Sequence, residues 1–201
     1  LDNIIQLSEL DCNRYHEAFA HIPVSNLIKC ERVLILGGGD GVLAKELLKY
    51  TNLKVDMVDI DEEVCNLSKQ HLSDLNDNVF EDDRLNLYID DALNFCNKAK
   101  ENGLRYDIIF ADITDPHPES PSRSLLSDSS IELYKSVLNK SGILVSQTDN
   151  VQIAPSHSKN IKNKFNKHFN NVGEYGIVAL TLSSVFSFVY ASDDTTIQEK
   201  P

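Results

Sequence analysis

Five short stretches of this chain carry residue types that can do chemistry together. Gly37-Gly38-Gly39-Asp40-Gly41 is a glycine loop. Glycine lets a backbone come close to a ligand and take up positive φ, which makes Gly37 and Gly39 candidate cofactor contacts. The run lacks the G-x-x-x-x-G-K-[ST] pattern of a P-loop. Asp40 would repel a pyrophosphate, and it suits a ligand carrying positive charge. Asp59 comes about twenty residues later, where nucleotide-binding folds keep an acid that accepts from ribose hydroxyls. The competing duty, capping the next helix, falls to Asp61. In Asp90-Asp91-Ala92 a carboxylate can accept from an adenine amino group or cap the helix that follows, and Asp91 is the better placed for adenine. Asp112-Ile113-Thr114-Asp115-Pro116 sets two carboxylates three residues apart. Such a group can hold an amine and take its proton once its own pKa is raised; the same pattern also makes an ordinary turn before proline. Tyr15-His16-Glu17 carries no meaning alone.

These stretches fall at the ends of elements that alternate regularly. Residues 1–12 read as an extended segment. Residues 13–28 read as a helix with Tyr15, Phe19 and Ile22 on one face, ended or kinked near Pro23. A short apolar run at 32–36 has the look of a parallel strand buried on both faces, and further strands are expected at 53–58, 85–89, 106–111 and 143–147. Helices are expected at 42–50, from Asp61 to about Leu72, at 92–101 and at 131–138, the last closed by Gly142. Residues 76–83 and the Ser- and Pro-rich stretch 116–130 read as loops. A basic helix at 156–170 and a strand pair at 177–182 and 185–191 complete the chain. Strand and helix in alternation imply a doubly wound α/β sheet with right-handed crossovers, and such sheets bind ligands beyond the carboxyl ends of their strands.

Composition narrows the class further. With 201 residues the chain can bury a sizeable core without staples, and no run nears the roughly 18 apolar residues of a membrane helix. The net charge of −12 argues against nucleic acid as a partner and would draw in a cationic substrate. The four cysteines, Cys12, Cys30, Cys65 and Cys96, show no metal spacing and sit in apolar stretches. Reduced core thiols, no bound metal and a cytoplasmic setting are therefore expected. The chain opens on Leu1 rather than Met, as a piece of a longer protein would.

Taken together, the motifs resemble the polyamine aminopropyltransferases, the spermidine and spermine synthase family. The likeness runs from Leu1 to about Asn150 through L-D-N-I-I-Q-L-S-E-L-D, Tyr15-His16-Glu17 with His21 and Pro23, L-G-G-G-D-G at 36–41, V-D-I-D-E at 58–62, D-D-R-L-N-L-Y-I-D-D-A at 82–92 and D-I-T-D-P at 112–116. It implies a Rossmann-like sheet of the adenosylmethionine-dependent methyltransferase type over residues 13–201, with residues 1–12 left from an N-terminal β-domain. It also implies a homodimer of the full-length protein and decarboxylated S-adenosylmethionine as co-substrate, with no tightly bound cofactor. Position by position, Gln6 would contact the donor, Asp59 its ribose, and Asp91 and Ala92 its adenine, with Pro121 packed nearby. His16 and Asp40 would lie at the aminopropyl and polyamine end. Asp112 would accept the proton, and Tyr15 and Asp115 would position the attacking amine. The sequence departs from the family's pattern at Asp59, where Glu is usual, at Ala92, at Ser120-Pro121, and after 150, where Leu180-Thr181-Leu182 and Phe186-Ser187-Phe188 stand in for Tyr-Pro and Trp-Gly-Phe.

The implied reaction is aminopropyl transfer to a polyamine, with putrescine as the expected acceptor. Two other readings fit part of the pattern. A small-molecule methyltransferase would share the glycine loop, Asp59 and Asp91 without needing the Asp-x-x-Asp pair. A degenerate homologue would bind nucleoside or polyamine without turnover.

Overall fold

Short, mainly apolar runs build the centre of the sheet. β1 (Arg32–Gly37) and β2 (Lys54–Asp59) each bury their four middle residues completely or nearly so. β3 (Leu85–Ile89), β4 (Tyr106–Asp112) and β5 (Leu138–Asn150) join them in parallel. β6 (Asn171–Ala179) and β7 (Ser184–Ser192) close the sheet antiparallel, giving the order β3-β2-β1-β4-β5-β7-β6. The computed structural model describes residues 5–113, 122–150, 155–179 and 184–198.

Because side chains alternate along a strand, each strand feeds two cores. Leu34, Leu36, Tyr106, Ile109 and Leu144 face one layer of helices, made of α5 (Ala92–Glu101), α7 (Asp128–Val137) and α8 (Pro155–Phe165). Val33, Ile35, Met57, Phe110 and Val145 face the other, where α1 (Cys12–Ser25) and α2 (Val42–Leu48) pack. The chain runs outward from β1 through β2 to β3, then returns to lay β4 on the other side of β1. The strand order therefore reverses between β1 and β4, and a crevice opens at their carboxyl ends.

Several expected boundaries shift. α1 ends at Ser25 rather than 28, close to Pro23 as expected, with the proline inside its last turn. Proline leaves the carbonyl four residues earlier without its helical donor, and the freed Phe19 carbonyl accepts a long hydrogen bond from Tyr175 Oη at 3.5 Å. Residues 5–8 form no strand, and 9–11 turn directly into α1. The polar stretch expected as a loop at 76–83 is partly helical. After α3 (Glu62–His71), α4 (Ser73–Asn76) precedes a 3-10 turn at Val79–Glu81. The Ser-rich loop is shorter than expected, for α6 covers Ser122–Leu125 and Ser127 caps α7 by accepting from the Ser130 N–H. Gly142 lies within β5 and closes no helix; α7 ends when Leu138 turns extended. α8 stops at Phe165, and β6 starts at Asn171, well before 177. Its polar residues hide an edge strand held by β7 alone. Cys12, Cys65 and Cys96 are buried free thiols as expected, whereas Cys30 is only partly covered. Among the described residues no helix is long and apolar enough to cross a membrane.

Candidate active site

Three carboxylates gather where β1, β2 and β4 end. Asp112 closes β4 as the register partner of Gly37 at the end of β1. Gly37 has φ +87°, and a Cβ there would stand 2.1 Å from the Asp112 carbonyl oxygen. Any side chain would push the loop off β4. The next residue uses that close approach: the Gly38 N–H donates to the Asp112 carbonyl at 3.1 Å. On the other side the Gly39 N–H donates to Asp59 Oδ2 at 2.9 Å, and a Cβ on Gly39 would sit 2.7 Å from the same oxygen. Asp59 Oδ1 accepts from the Asp61 N–H at 2.9 Å, while Asp61 caps α3 as its position suggested. Asp40 Oδ1 accepts from the Val42 N–H at 2.8 Å, which sets its carboxylate at the start of α2.

The electrostatics follow from this crowding. Asp112 is pushed well above the usual carboxylate range, first by loss of hydration and then by the negative charges of Asp40 and Asp59. Asp112 as a whole residue is only partly buried. Burial also raises Asp59, with Asp61 and Asp40 adding, against the N–H groups of Asp61 and Gly39 that favour its charged form. Among the described residues no ion pair reaches Asp40, Asp59 or Asp112, and negative charge gathered in this way is relieved by a positively charged ligand.

α1 forms the adjoining wall. Tyr15 Oη donates to Gln147 Oε1 at 2.5 Å, and Gln147 Nε2 donates to the Ile113 carbonyl beside Asp112. The Tyr15 ring meets His16, Phe19, Phe186 and Phe188 in edge or tilted contacts. His16 is buried, and its Nδ1–H donates to the Cys12 carbonyl at 2.7 Å. Loss of hydration lowers its pKa against the opposing pull of Asp40, which keeps the ring neutral with its lone pair on Nε2.

The remaining sequence candidates are more scattered. Asp91 caps α5 through Oδ1, accepting from the Leu93 and Asn94 N–H groups, both at 2.9 Å. Asp90 instead pairs with Lys98 at 2.6 Å. Ala92 opens α5 and is buried. Gln6 is exposed on the segment before α1. Asp115 and Pro121 lie outside the described residues. Sequence reasoning missed Gln147, which reaches Tyr15 from β5, and took Phe186 only as part of the run in place of Trp-Gly-Phe, not as the neighbour of Tyr15 that it is from β7. Nothing local marked Gln147. Ile60 stays 68% exposed directly after Asp59. A shallow groove of about 550 Å³ runs along α3 between Ile60 and Gln70. None of the three carboxylates lines it.

A mixed sheet whose parallel strands have their switch point between β1 and β4, a glycine loop bound to both neighbouring strands and acids at their tips define a Rossmann-like domain of the adenosylmethionine-dependent methyltransferase type. Comparison with known proteins gives the narrower assignment. A family model described as spermine/spermidine synthase domain matches residues 12–201, so the chain belongs to that family. The likeness therefore extends well past residue 150, where the recognisable motifs fade. A polyamine aminopropyltransferase of Aeropyrum pernix is 36% identical over 195 residues, covering 96% of this chain and 62% of its own length. Polyamine aminopropyltransferase 1 of Hyperthermus butylicus is 35% identical over 194 residues, with 96% and 66% covered. The crystal structure of spermidine synthase from Thermotoga maritima superposes with a TM-score of 0.86 at 26% identity, over 98% of this chain and 65% of that one. The chain thus spans somewhat under two thirds of the length of these relatives.

Proposed function

We propose that this chain carries out aminopropyl transfer from decarboxylated S-adenosylmethionine to a polyamine, with putrescine as the acceptor. The observation that carries the reading is the cluster of Asp40, Asp59 and Asp112, which suits a reaction between two cations. Asp59 holds the donor's ribose, Asp91 and Ala92 its adenine, with Ile60, Gln6 and Pro121 alongside. Asp40 pairs with the ammonium of the aminopropyl arm, and the neutral ring of His16 adds no repulsion there. Ordinary adenosylmethionine has a carboxylate at that end, so Asp40 discriminates against it by like charge. A spermidine synthase has been solved with the transition state analogue AdoDATO, and it superposes on this chain with a TM-score of 0.83 at 25% identity.

The acceptor arrives as an ammonium with a pKa near 10 and is not nucleophilic. Burial lowers that value and raises that of Asp112, which narrows the gap for proton transfer. Asp112 takes the proton, while Tyr15 and Asp115 orient the nitrogen. The freed lone pair attacks the aminopropyl carbon next to the sulfonium. The C–N bond forms, the C–S bond breaks, and its electron pair goes to sulfur, releasing neutral methylthioadenosine. The sulfonium is already a good leaving group, so most of the acceleration comes from orientation and proton removal. The test is incubation with putrescine and either form of adenosylmethionine, followed by chromatography for methylthioadenosine. Product from the decarboxylated donor alone is expected. Equal use of both donors, or a methylated amine, would overturn the reading.

A further inference from the structure

The glycine loop is fastened from a third side by a residue outside every motif. Asn76 ends α4 and is completely buried. Its Nδ2 donates to the Asp40 carbonyl at 3.0 Å and to the Ser68 carbonyl of α3 at 3.2 Å. Its Oδ1 accepts from the Asn78 N–H at 3.1 Å. Both donors and an acceptor lone pair of the amide are thus used, and no other side-chain type of that size offers the same set. The backbone on which Asn76 sits is costly. Asp77 and Asn78 follow it at φ 53° and 54°, two consecutive left-handed residues that are not glycine. That strain is retained next to a site, where it has to be compensated by what it holds in place. The turn beyond it also packs on the loop: Val79 and Phe80 lie against Gly41, and Lys69 sits 5.2 Å over the Phe80 ring.

We propose that Asn76 is a positioning residue of the donor site. It fixes the peptide after Asp40, and through it the direction in which the Asp40 carboxylate faces the donor's aminopropyl arm. This rests on the aminopropyl-transfer reading. The loop has three anchors of different consequence. Gly38 is tied to β4 and Gly39 to Asp59, which serves the nucleoside. Asp40 is tied by its carboxylate to Val42 and by its carbonyl to Asn76. Loss of Asn76 frees the Asp40 end while leaving the Asp59 end in place.

The test compares Asn76→Ala with the whole chain by calorimetry, using decarboxylated adenosylmethionine, ordinary adenosylmethionine and methylthioadenosine. Ser192→Ala serves as the control, because it removes a buried bond of 2.7 Å to the Gly142 carbonyl far from the loop. The parent chain's preference for the decarboxylated donor is expected to fall about tenfold in Asn76→Ala, the worth of one buried hydrogen bond. Methylthioadenosine affinity should stay within about threefold. Ser192→Ala should lower stability and keep the preference. If Asn76→Ala does not fold, Asn76→Asp replaces it: that variant keeps the bond to Asn78 but turns a carboxylate oxygen towards the Asp40 carbonyl, and the same loss of preference is expected. An unchanged preference in the folded variant, or an equal loss for all three ligands, overturns the proposal. A parent chain with no preference between donors instead overturns the functional reading.

Discussion

Replacing Asp112 by Asn keeps its size and removes its ability to accept a proton. Its neighbours Asp40 and Asp59 each accept from a backbone N–H, and in the proposed reaction both serve the donor, so neither stands in for Asp112. The variant must therefore wait for an amine that is already deprotonated. With an amine pKa near 10, that fraction is about 10⁻³ at pH 7. The expected fall in kcat is thus roughly a thousandfold, within the usual range of about 10²–10⁴ for a positioned base. The deficit should shrink about tenfold for each unit of rising pH, reaching roughly tenfold at pH 9, because the solvent then does what Asp112 did. A stopped assay for methylthioadenosine between pH 6.5 and 9 measures this. Stability gives a second readout. A carboxyl whose pKa is raised by folding binds its proton more tightly when folded, so its contribution to stability falls as pH rises from the ordinary carboxylate range through the raised value. Asp112→Asn should melt above the parent at pH 8 and lose that advantage near pH 3, below the ordinary value of about 3.9. Near-full activity, or a deficit identical at every pH, would refute Asp112 as the base.

Asp59→Asn turns an N–H of its amide towards a backbone N–H of Gly39 or Asp61; methylthioadenosine binding should weaken by about 1.5–3 kcal/mol in calorimetry, and unchanged affinity would remove Asp59 from the nucleoside site. Arg84 reaches the carbonyls of Leu48, Tyr50 and Thr51 at the end of α2 and pairs with Asp82. Arg84→Ala should cost about 2 kcal/mol, seen as a drop of roughly 4–8 °C in Tm, with no change in nucleoside affinity. Asp56 is buried in β2 and accepts from Arg32, Asn86 and Tyr106. Asp56→Ala should cost about 3–5 kcal/mol in urea denaturation, since all three partners lose their acceptor; a cost under about 1 kcal/mol would show that the network relaxes freely.

The central strands, the glycine loop, the acids at the strand tips and the Asp61 cap were legible in the sequence. Each is written in contiguous residues: a central parallel strand is mainly apolar, and a loop pressed against its neighbour must be glycine. The order of elements then leaves few ways to wind the sheet. Other features depend on residues distant in the chain. Gln147 joins the site because β5 lies beside β4 and α1 crosses above it, 132 positions from Tyr15. Asn76 looked like part of a polar loop because nothing nearby reveals that its amide is completely buried against Asp40. β6 was obscured because an edge strand is held by pairing on one side and needs little apolar character of its own. The raised pKa of Asp112 belongs to the same group. An Asp at a strand end is an ordinary carboxylate until the tertiary structure removes its water and sets Asp40 and Asp59 beside it. Local covalent patterns thus determined which groups the protein brings, and three-dimensional packing decided which of them share a site and in what protonation state.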